Sequence, residues 1–203
     1  MTIEYKNLAG LSRNELADEL SVMGEKPFRI KQLWHWIYHQ GKTDFTEMVN
    51  LSKSFRYALS EKYEIRRPGI SDVQTSQDRT KKWLVHFDDK QKVETVYIPE
   101  KDRGAVCISS QVGCTLNCTF CRTGTQKLVR NLTASEIVGQ FMLARDSFGE
   151  WPTPQNGGRL ISNIVLMGMG EPLLNYENVV KALTIIMDNE GIALSKRRIT
   201  LST

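Results

Sequence analysis

Cysteine is scarce in this 203-residue chain and is not spread as a disulfide framework would be: there are four, and three fall between positions 114 and 121. A disulfide-built secreted domain is therefore excluded, and a reducing compartment with a metal or redox role is what remains. No apolar run approaches the ~20 residues that cross a bilayer, so no membrane partner is expected. The opening Met-Thr-Ile-Glu-Tyr-Lys has no basic stretch followed by an apolar one, so no secretory leader is read and a cytoplasmic location is expected. The second cysteine pair of a structural zinc loop is missing. So is the third glycine of a dinucleotide-binding fingerprint after Gly168-Met169-Gly170. There is no internal repeat and no low-complexity segment. The three histidines, His35, His39 and His86, sit on patterned elements and are assigned no function.

What is present is ordinary globular composition, 40% hydrophobic and 25% charged, with a net charge of +4 that permits an acidic partner such as RNA. Residues 1–64 are helical in pattern. Ser12 and Glu15 form a capping box before Leu16 and Leu20. Pro27 opens a second helix from Phe28 to Gln40, and Ser52 a third with Phe55 and Leu59 inward. Trp34 and Trp36 lie on an apolar stripe at helical spacing, which favours core packing for at least one. The pattern then switches to period two: Lys81–Phe87 and Val93–Ile98 flank an Asp88-Asp89-Lys90 turn, predicting a β-hairpin within 65–100. After a strand at Ala105–Ser109 the pattern alternates. Thr133 and Glu136 cap a helix to Phe148; 150–159 is a Pro/Gly loop; 163–167 is a buried strand. Asn175 caps another helix, and 198–202 is a strand. Strands alternating with helices imply a parallel sheet. The fold class expected is α/β, in three parts: a small all-α unit (1–64), a hairpin linker (65–100) and a β/α core (101–203).

Cys114, Cys118 and Cys121 stand in Gly-Cys-Thr-Leu-Asn-Cys-Thr-Phe-Cys, a C-x3-C-x2-C spacing. Three soft thiolates on one loop suit an iron–sulfur cluster, with one iron left open, or zinc. Cys107 lies in the apolar run Ala-Val-Cys-Ile and could equally be a packed thiol. Gly168–Pro172 follows a buried strand; its glycines could serve a tight turn, and Glu171 could complement a helix N-terminus. Glu94 on a strand reads by itself as a solvated face.

The cysteine loop, with Gln111-Val112-Gly113 before it and Arg122-Thr123-Gly124 after it, resembles the radical S-adenosylmethionine (SAM) enzymes. Adding Gly168-Met169-Gly170-Glu171-Pro172-Leu173-Leu174-Asn175 and Arg197–Thr203, the chain resembles the RlmN/Cfr family of radical SAM RNA adenine-C2 methyltransferases over nearly all its length. The resemblance implies a partial radical-SAM (β/α) barrel preceded by a small all-α, helix-hairpin-like domain and a β-hairpin. It implies that Cys114, Cys118 and Cys121 ligate a [4Fe-4S] cluster. Gly170 and Glu171 would hold the amino end of SAM, and Ser202 its ribose or carboxylate. Cys107 would help release an enzyme-bound adduct as a disulfide, and Glu94 would take the proton from adenine C2. In the mechanism so implied, one SAM methylates a further cysteine and a second SAM, cleaved by a cluster electron, starts the radical addition to adenine C2. The partners implied are 23S rRNA, tRNA and a reductant protein; Lys26, Arg29, Lys31, Arg66, Arg67, Arg79, Lys81 and Lys82 could meet phosphates or simply aid solubility.

The resemblance also shows what has no counterpart. The family's methyl-carrying cysteine and a later SAM-binding asparagine match nothing here, and the terminal run Arg-Arg-Ile-Thr-Leu-Ser-Thr reads as the start of a core strand. The chain is therefore expected to be the N-terminal part of such an enzyme, inactive alone. The rival readings are a non-catalytic RNA-binding, cluster-carrying piece and a zinc-binding RNA module.

Overall fold

A computed structural model describes residues 5–155 and 157–203; residues 1–4 of the expected helical unit and Asn156 of the expected loop lie outside the described residues. The helical unit contains α1 (Arg13–Val22), α2 (Phe28–Trp34) and α3 (Lys53–Ser60). Both halves of the Ser12/Glu15 capping box form, satisfying two N–H groups that the first turn leaves over. The expected long second helix ends early. Residues His35–His39 widen into a π-turn. The extra residue in that turn lets Trp34, Ile37 and Tyr38 all face inward, each at most 1% exposed, and stacks the His35 and His39 rings at 4.4 Å.

Six strands form one sheet: β1 (Gly69–Thr75), β2 (Lys81–His86), β3 (Lys92–Pro99), β4 (Gly104–Cys107), β5 (Ile161–Leu166) and β6 (Ile199–Leu201). They lie side by side in chain order; β1 to β4 pair antiparallel, and β4, β5 and β6 pair parallel. The segment expected as a hairpin linker is thus three strands long and continuous with the core. The reason is the register: Val96 pairs with Cys107 and Cys107 with Val165, so one hydrogen-bonded ladder runs through both regions. Two connections from strand to parallel strand carry α4 (Ala134–Ser147) and α5 (Tyr176–Met187). Parallel neighbours need such a crossover, because a two-residue turn cannot reverse the chain.

The helices cover one face. Trp83, Val85, Val93, Thr95, Tyr97 and Val106 point towards them, buried, and Phe148 at the end of α4 packs against Trp83 and Tyr97. The helical unit docks on the outside of this layer. Arg13 grips Asp188 through two hydrogen bonds of 2.7 and 2.8 Å and lies over the Trp34 ring, whose indole N–H also donates to Asp188. Arg145, fully buried on α4, stacks on Trp151, donates to Thr153 Oγ1 and pairs with Glu150. The Thr153 N–H in turn donates to the His39 carbonyl. No helix is long and apolar enough to cross a membrane among the described residues.

Candidate cluster and cofactor site

Alternation along each strand sends Glu94, Val96, Ala105, Cys107, Asn163 and Val165 to the face opposite the helices. All are at least partly exposed there. Because Val96 is the direct partner of Cys107, Glu94 lies one diagonal step from Cys107 on that open face. Lys82 donates to the Glu94 carboxylate at 2.9 Å from the neighbouring strand. Burial pushes the Cys107 thiol above its ordinary value, and a hydrogen bond with the Met167 backbone acts the other way; the balance keeps the thiol protonated near neutral pH.

The cysteine loop leaves the carboxyl end of β4. It folds back on itself: Cys114 N–H donates to the Gln126 carbonyl, Cys121 N–H to that of Cys118, and Gly124 N–H to that of Cys121. Gly113 allows the return, since its φ is +77° and a Cβ there would stand 2.1 Å from the Lys127 carbonyl oxygen. Cys114, Cys118 and Cys121 are free thiols and partly exposed, and Leu116 N–H donates to Cys114 Sγ at 3.4 Å. Phe120 beside them is 92% exposed. Cys107 is likewise a free thiol.

The second loop, Gly168–Pro172, follows β5 and is strapped to the segment that enters the cysteine loop. Ser110 and Gln111 N–H groups donate to the Met169 carbonyl, and Glu171 N–H donates to Gln111 Oε1. Gly170 sits at φ +96°, where a Cβ would meet Gln111 Cβ at 2.4 Å; only glycine lets the two loops touch. Glu171 is 7% exposed, and its Oε1 caps the Leu173 N–H. Asn175, expected as a side-chain helix cap, instead donates to the Ser110 and Leu132 carbonyls, tying the start of α5 to the same junction. Ser202 follows β6, exposed, at the carboxyl end of that strand.

Every residue expected in the site therefore lies on the open face or at the carboxyl ends of adjacent strands, the side on which α/β barrels bind ligands. The donor set fits the implied groups: three thiols unengaged in disulfides for a cluster, a backbone N–H already aimed at one sulfur, and a carboxylate on the adjoining loop for an ammonium. Among the described residues no three His, Cys, Asp or Glu side chains converge as ligands of one metal ion.

Gln140 and Ser109 were not legible as site residues. Gln140, fully buried in α4, accepts from Thr95 Oγ1 and Ser109 N–H and donates to the Ser109 carbonyl. Ser109 Oγ donates to the Glu94 carbonyl and accepts from Met169 N–H. One buried amide thus joins the strand bearing Glu94, the strand bearing Cys107 and the Gly168–Glu171 loop. The signal available was a lone amide within the apolar run Ile-Val-Gly-Gln-Phe-Met-Leu.

A mixed sheet with helices on one face, a three-thiol loop at a strand's carboxyl end and a glycine–glutamate loop beside it make up an arrangement similar to that of radical SAM domains. A solved radical SAM methyltransferase from Sphaerobacter thermophilus superposes with a TM-score of 0.86 at 38% identity, over 98% of this chain and 57% of that one. The chain is 66% identical over 97% of its length to a dual-specificity RNA methyltransferase RlmN of Paramagnetospirillum magneticum, and 64% identical to that of Rhodospirillum rubrum. Residues 6–65 match the family described as the ribosomal RNA large subunit methyltransferase N-terminal domain. The resemblance to RlmN thus extends over 97% of the chain. The chain spans 44% and 46% of those two relatives, about half their length.

Proposed function

We propose that this chain forms the cluster- and SAM-binding part of a radical SAM methyltransferase that modifies adenine C2 in 23S rRNA and tRNA through a methylated-cysteine intermediate. The observation that carries the reading is the shared open face: Glu94 and Cys107 are one diagonal apart, at the end of the sheet from which the cysteine loop and the strapped Gly168–Glu171 loop project. When bound, the cluster supplies an electron and SAM supplies the methyl group and radical chemistry that an electrophilic carbon such as adenine C2 requires. Cys114, Cys118 and Cys121 would hold the cluster, and Glu171 with the Gly170 backbone would receive the SAM ammonium. Ser202 would steady the SAM ribose or carboxylate. Glu94 would accept the C2 proton, its carboxylate meanwhile held on the open face by Lys82. Cys107 would lose its proton and its thiolate would close a disulfide on the sulfur of the family's methyl-carrying cysteine, breaking the sulfur–carbon bond of the adduct; the electron pair of that bond would leave with the product carbon, which takes up a proton. None of the four cysteines here matches that carrier, so the 203-residue chain by itself would bind the cofactors without turning over. A reductant protein would feed the cluster.

Anaerobic reconstitution with iron and sulfide tests this. About four irons per chain and visible absorption that SAM perturbs are expected. Glu171→Ala should retain the iron and weaken SAM binding roughly 10- to 150-fold, as loss of a charged hydrogen bond of ~1.5–3 kcal/mol would. A chain that takes up one zinc and no iron would overturn the reading.

A further inference from the structure

The basic residues read from the sequence as RNA contacts are largely spent inside the chain. Arg29 faces Glu25, Lys31 pairs with Glu190, Arg66 with Glu64 and Asp88, Arg67 with Asp146, and Lys82 with Glu94. A different set gathers at the amino ends of the strands. Arg103 immediately precedes β4; Arg159 lies two residues before β5; Lys196, Arg197 and Arg198 lead directly into β6. Arg103 salt-bridges to exposed Glu100. Arg159, Lys196, Arg197 and Arg198 have no carboxylate within 4 Å among the described residues.

Arg103, Arg159 and Arg198 line one cavity of about 420 Å³, together with Gly157, Gly158 and Ser162. Asp102 is its one carboxylate. The Arg159 fork is fixed without being neutralised: it donates to the Ile192 carbonyl at 3.0 Å and, more weakly, to that of Pro154. Gly157 and Gly158 have nothing within 4 Å of where a side chain would begin, so their backbone is approachable. Arg159 also lines a second cavity of about 470 Å³, whose wall carries the Lys31–Glu190 ion pair and the stacked His35 and His39. The two cavities share Arg159 and Ala193 and therefore adjoin as one groove from the π-turn of the helical unit to the start of β6, basic at its β6 end, where Arg103, Arg159 and Arg198 stand. Ala193, on the shared wall, is held at φ +55°, a conformation that non-glycine residues seldom adopt.

We propose that this groove is an RNA-backbone anchor, separate from the cofactor site and at the opposite end of the sheet. The inference rests on the RNA reading above. Planar guanidiniums match phosphodiester oxygens in charge and in fork geometry. Arg103 lies beside Glu100, which is six residues, ~20 Å of strand, from Glu94. An RNA gripped here and offering an adenine beside Glu94 must span about that distance, so the groove would select folded, extended RNA over a short oligonucleotide.

The test is fluorescence anisotropy on the full chain with two probes, an unmodified tRNA transcript and a four-nucleotide oligoribonucleotide containing adenine. The combined change Arg103→Gln, Arg159→Gln, Arg198→Gln should weaken tRNA binding roughly tenfold near physiological salt and lower the slope of log affinity against log salt by about two. It should leave the short probe unchanged. Arg103→Glu with Arg198→Glu, both exposed residues, should do the same at an unchanged melting temperature, which guards against an effect of misfolding at Arg159. The comparison is Lys53→Gln with Lys62→Gln on the helical unit, expected to weaken tRNA binding less than twofold. Equal weakening by that pair would mean diffuse attraction and would overturn the anchor, as would unchanged tRNA binding in the arginine variants while Lys82→Gln weakens both probes. A poly-glutamate peptide held with the same arginine dependence would overturn the assignment to RNA. Failure of the unaltered chain to bind either probe at low salt would remove the RNA reading along with the anchor.

Discussion

The two faces of the six-stranded sheet are made by the same strands and treat polar groups in opposite ways. On the covered face Thr95 is fully buried and its hydroxyl has found Gln140; Ser109 has every polar group engaged. On the open face the very next residue, Glu94, is about half exposed and meets only a lysine. Cys107 alternates in the same way with buried Val106. Strand periodicity thus divides the labour: one set of side chains fixes where the backbone runs, and the interleaved set is left unengaged for chemistry. A slip of one residue in register would exchange the two sets, so the buried hydrogen bonds of Gln140 guard the site even though they never touch it.

The sharpest way to break the comparison is at the cysteine loop, which belongs wholly to the open side. Cys114→Ala, Cys118→Ala or Cys121→Ala should each abolish iron retention after anaerobic reconstitution, with the far-ultraviolet circular dichroism unchanged. Cys107→Ala should keep its iron. Iron analysis of the four variants decides the matter: equal loss in Cys107→Ala would make it a fourth ligand and close the position that SAM needs.

On the covered face the effect should appear in stability instead. Gln140→Leu strands the Ser109 N–H and carbonyl and the Thr95 hydroxyl without partners. Each buried group left unsatisfied costs ~1–3 kcal/mol, so a loss of about 3 kcal/mol or more is expected in urea unfolding. Glu94→Gln should stay within about 0.5 kcal/mol of the original. Similar losses for the two would erase the distinction between the faces.

A smaller effect lies in the seam behind the covered face. Burial acts to raise the Asp188 carboxyl, but the Arg13 hydrogen bonds, the Glu190 N–H and the Trp34 indole outweigh it and hold the group below its ordinary 3.8. A depressed carboxyl contributes stability that is fully present above the unfolded value and is lost as pH falls below it. The melting temperature should therefore fall more steeply below about pH 4 in the unaltered chain than in Asp188→Asn, which has lost that proton linkage already. Parallel pH profiles would show that the seam does not depend on this ion pair.

Much of this arrangement was legible in the residues. Ser12 with Glu15 and Thr133 with Glu136 cap helices as read, because a capping box is settled within four residues. Lys81–Phe87 and Val93–Ile98 pair as read, because alternation and a polar turn are also local. The π-turn at His35–His39 was not legible, since it answers to what Trp34 and Tyr38 must reach across the seam, Asp188 and the Gly10 N–H. Nor was Gln111, whose amide is needed only because Gly168–Glu171 arrives beside it from some sixty residues away. The pairing of Lys31, Arg66, Arg67 and Lys82 with carboxylates was hidden for the same reason: Glu190, Asp88, Asp146 and Glu94 reach them only in the folded chain.

The smallest expected effect bears on Glu94 itself. Its partner Lys82 sits on the adjacent strand with Nζ at 2.9 Å, and the two side chains are 47% and 38% exposed. In such solvent the Coulombic gain is largely offset by screening and by the entropy of holding two long chains together, so the pair should be worth only about 0.2–1 kcal/mol. A double-mutant cycle of Glu94→Gln and Lys82→Met, read in urea, should return a coupling in that range that vanishes in 1 M salt, where the screening length shrinks to about 3 Å. A weak tether suits the role proposed for Glu94: the lysine holds the carboxylate on the open face near Cys107, yet releases it at little cost. A coupling above about 2 kcal/mol, or one indifferent to salt, would place Glu94 with Gln140 among the groups that hold the sheet together and would count against the role proposed for it.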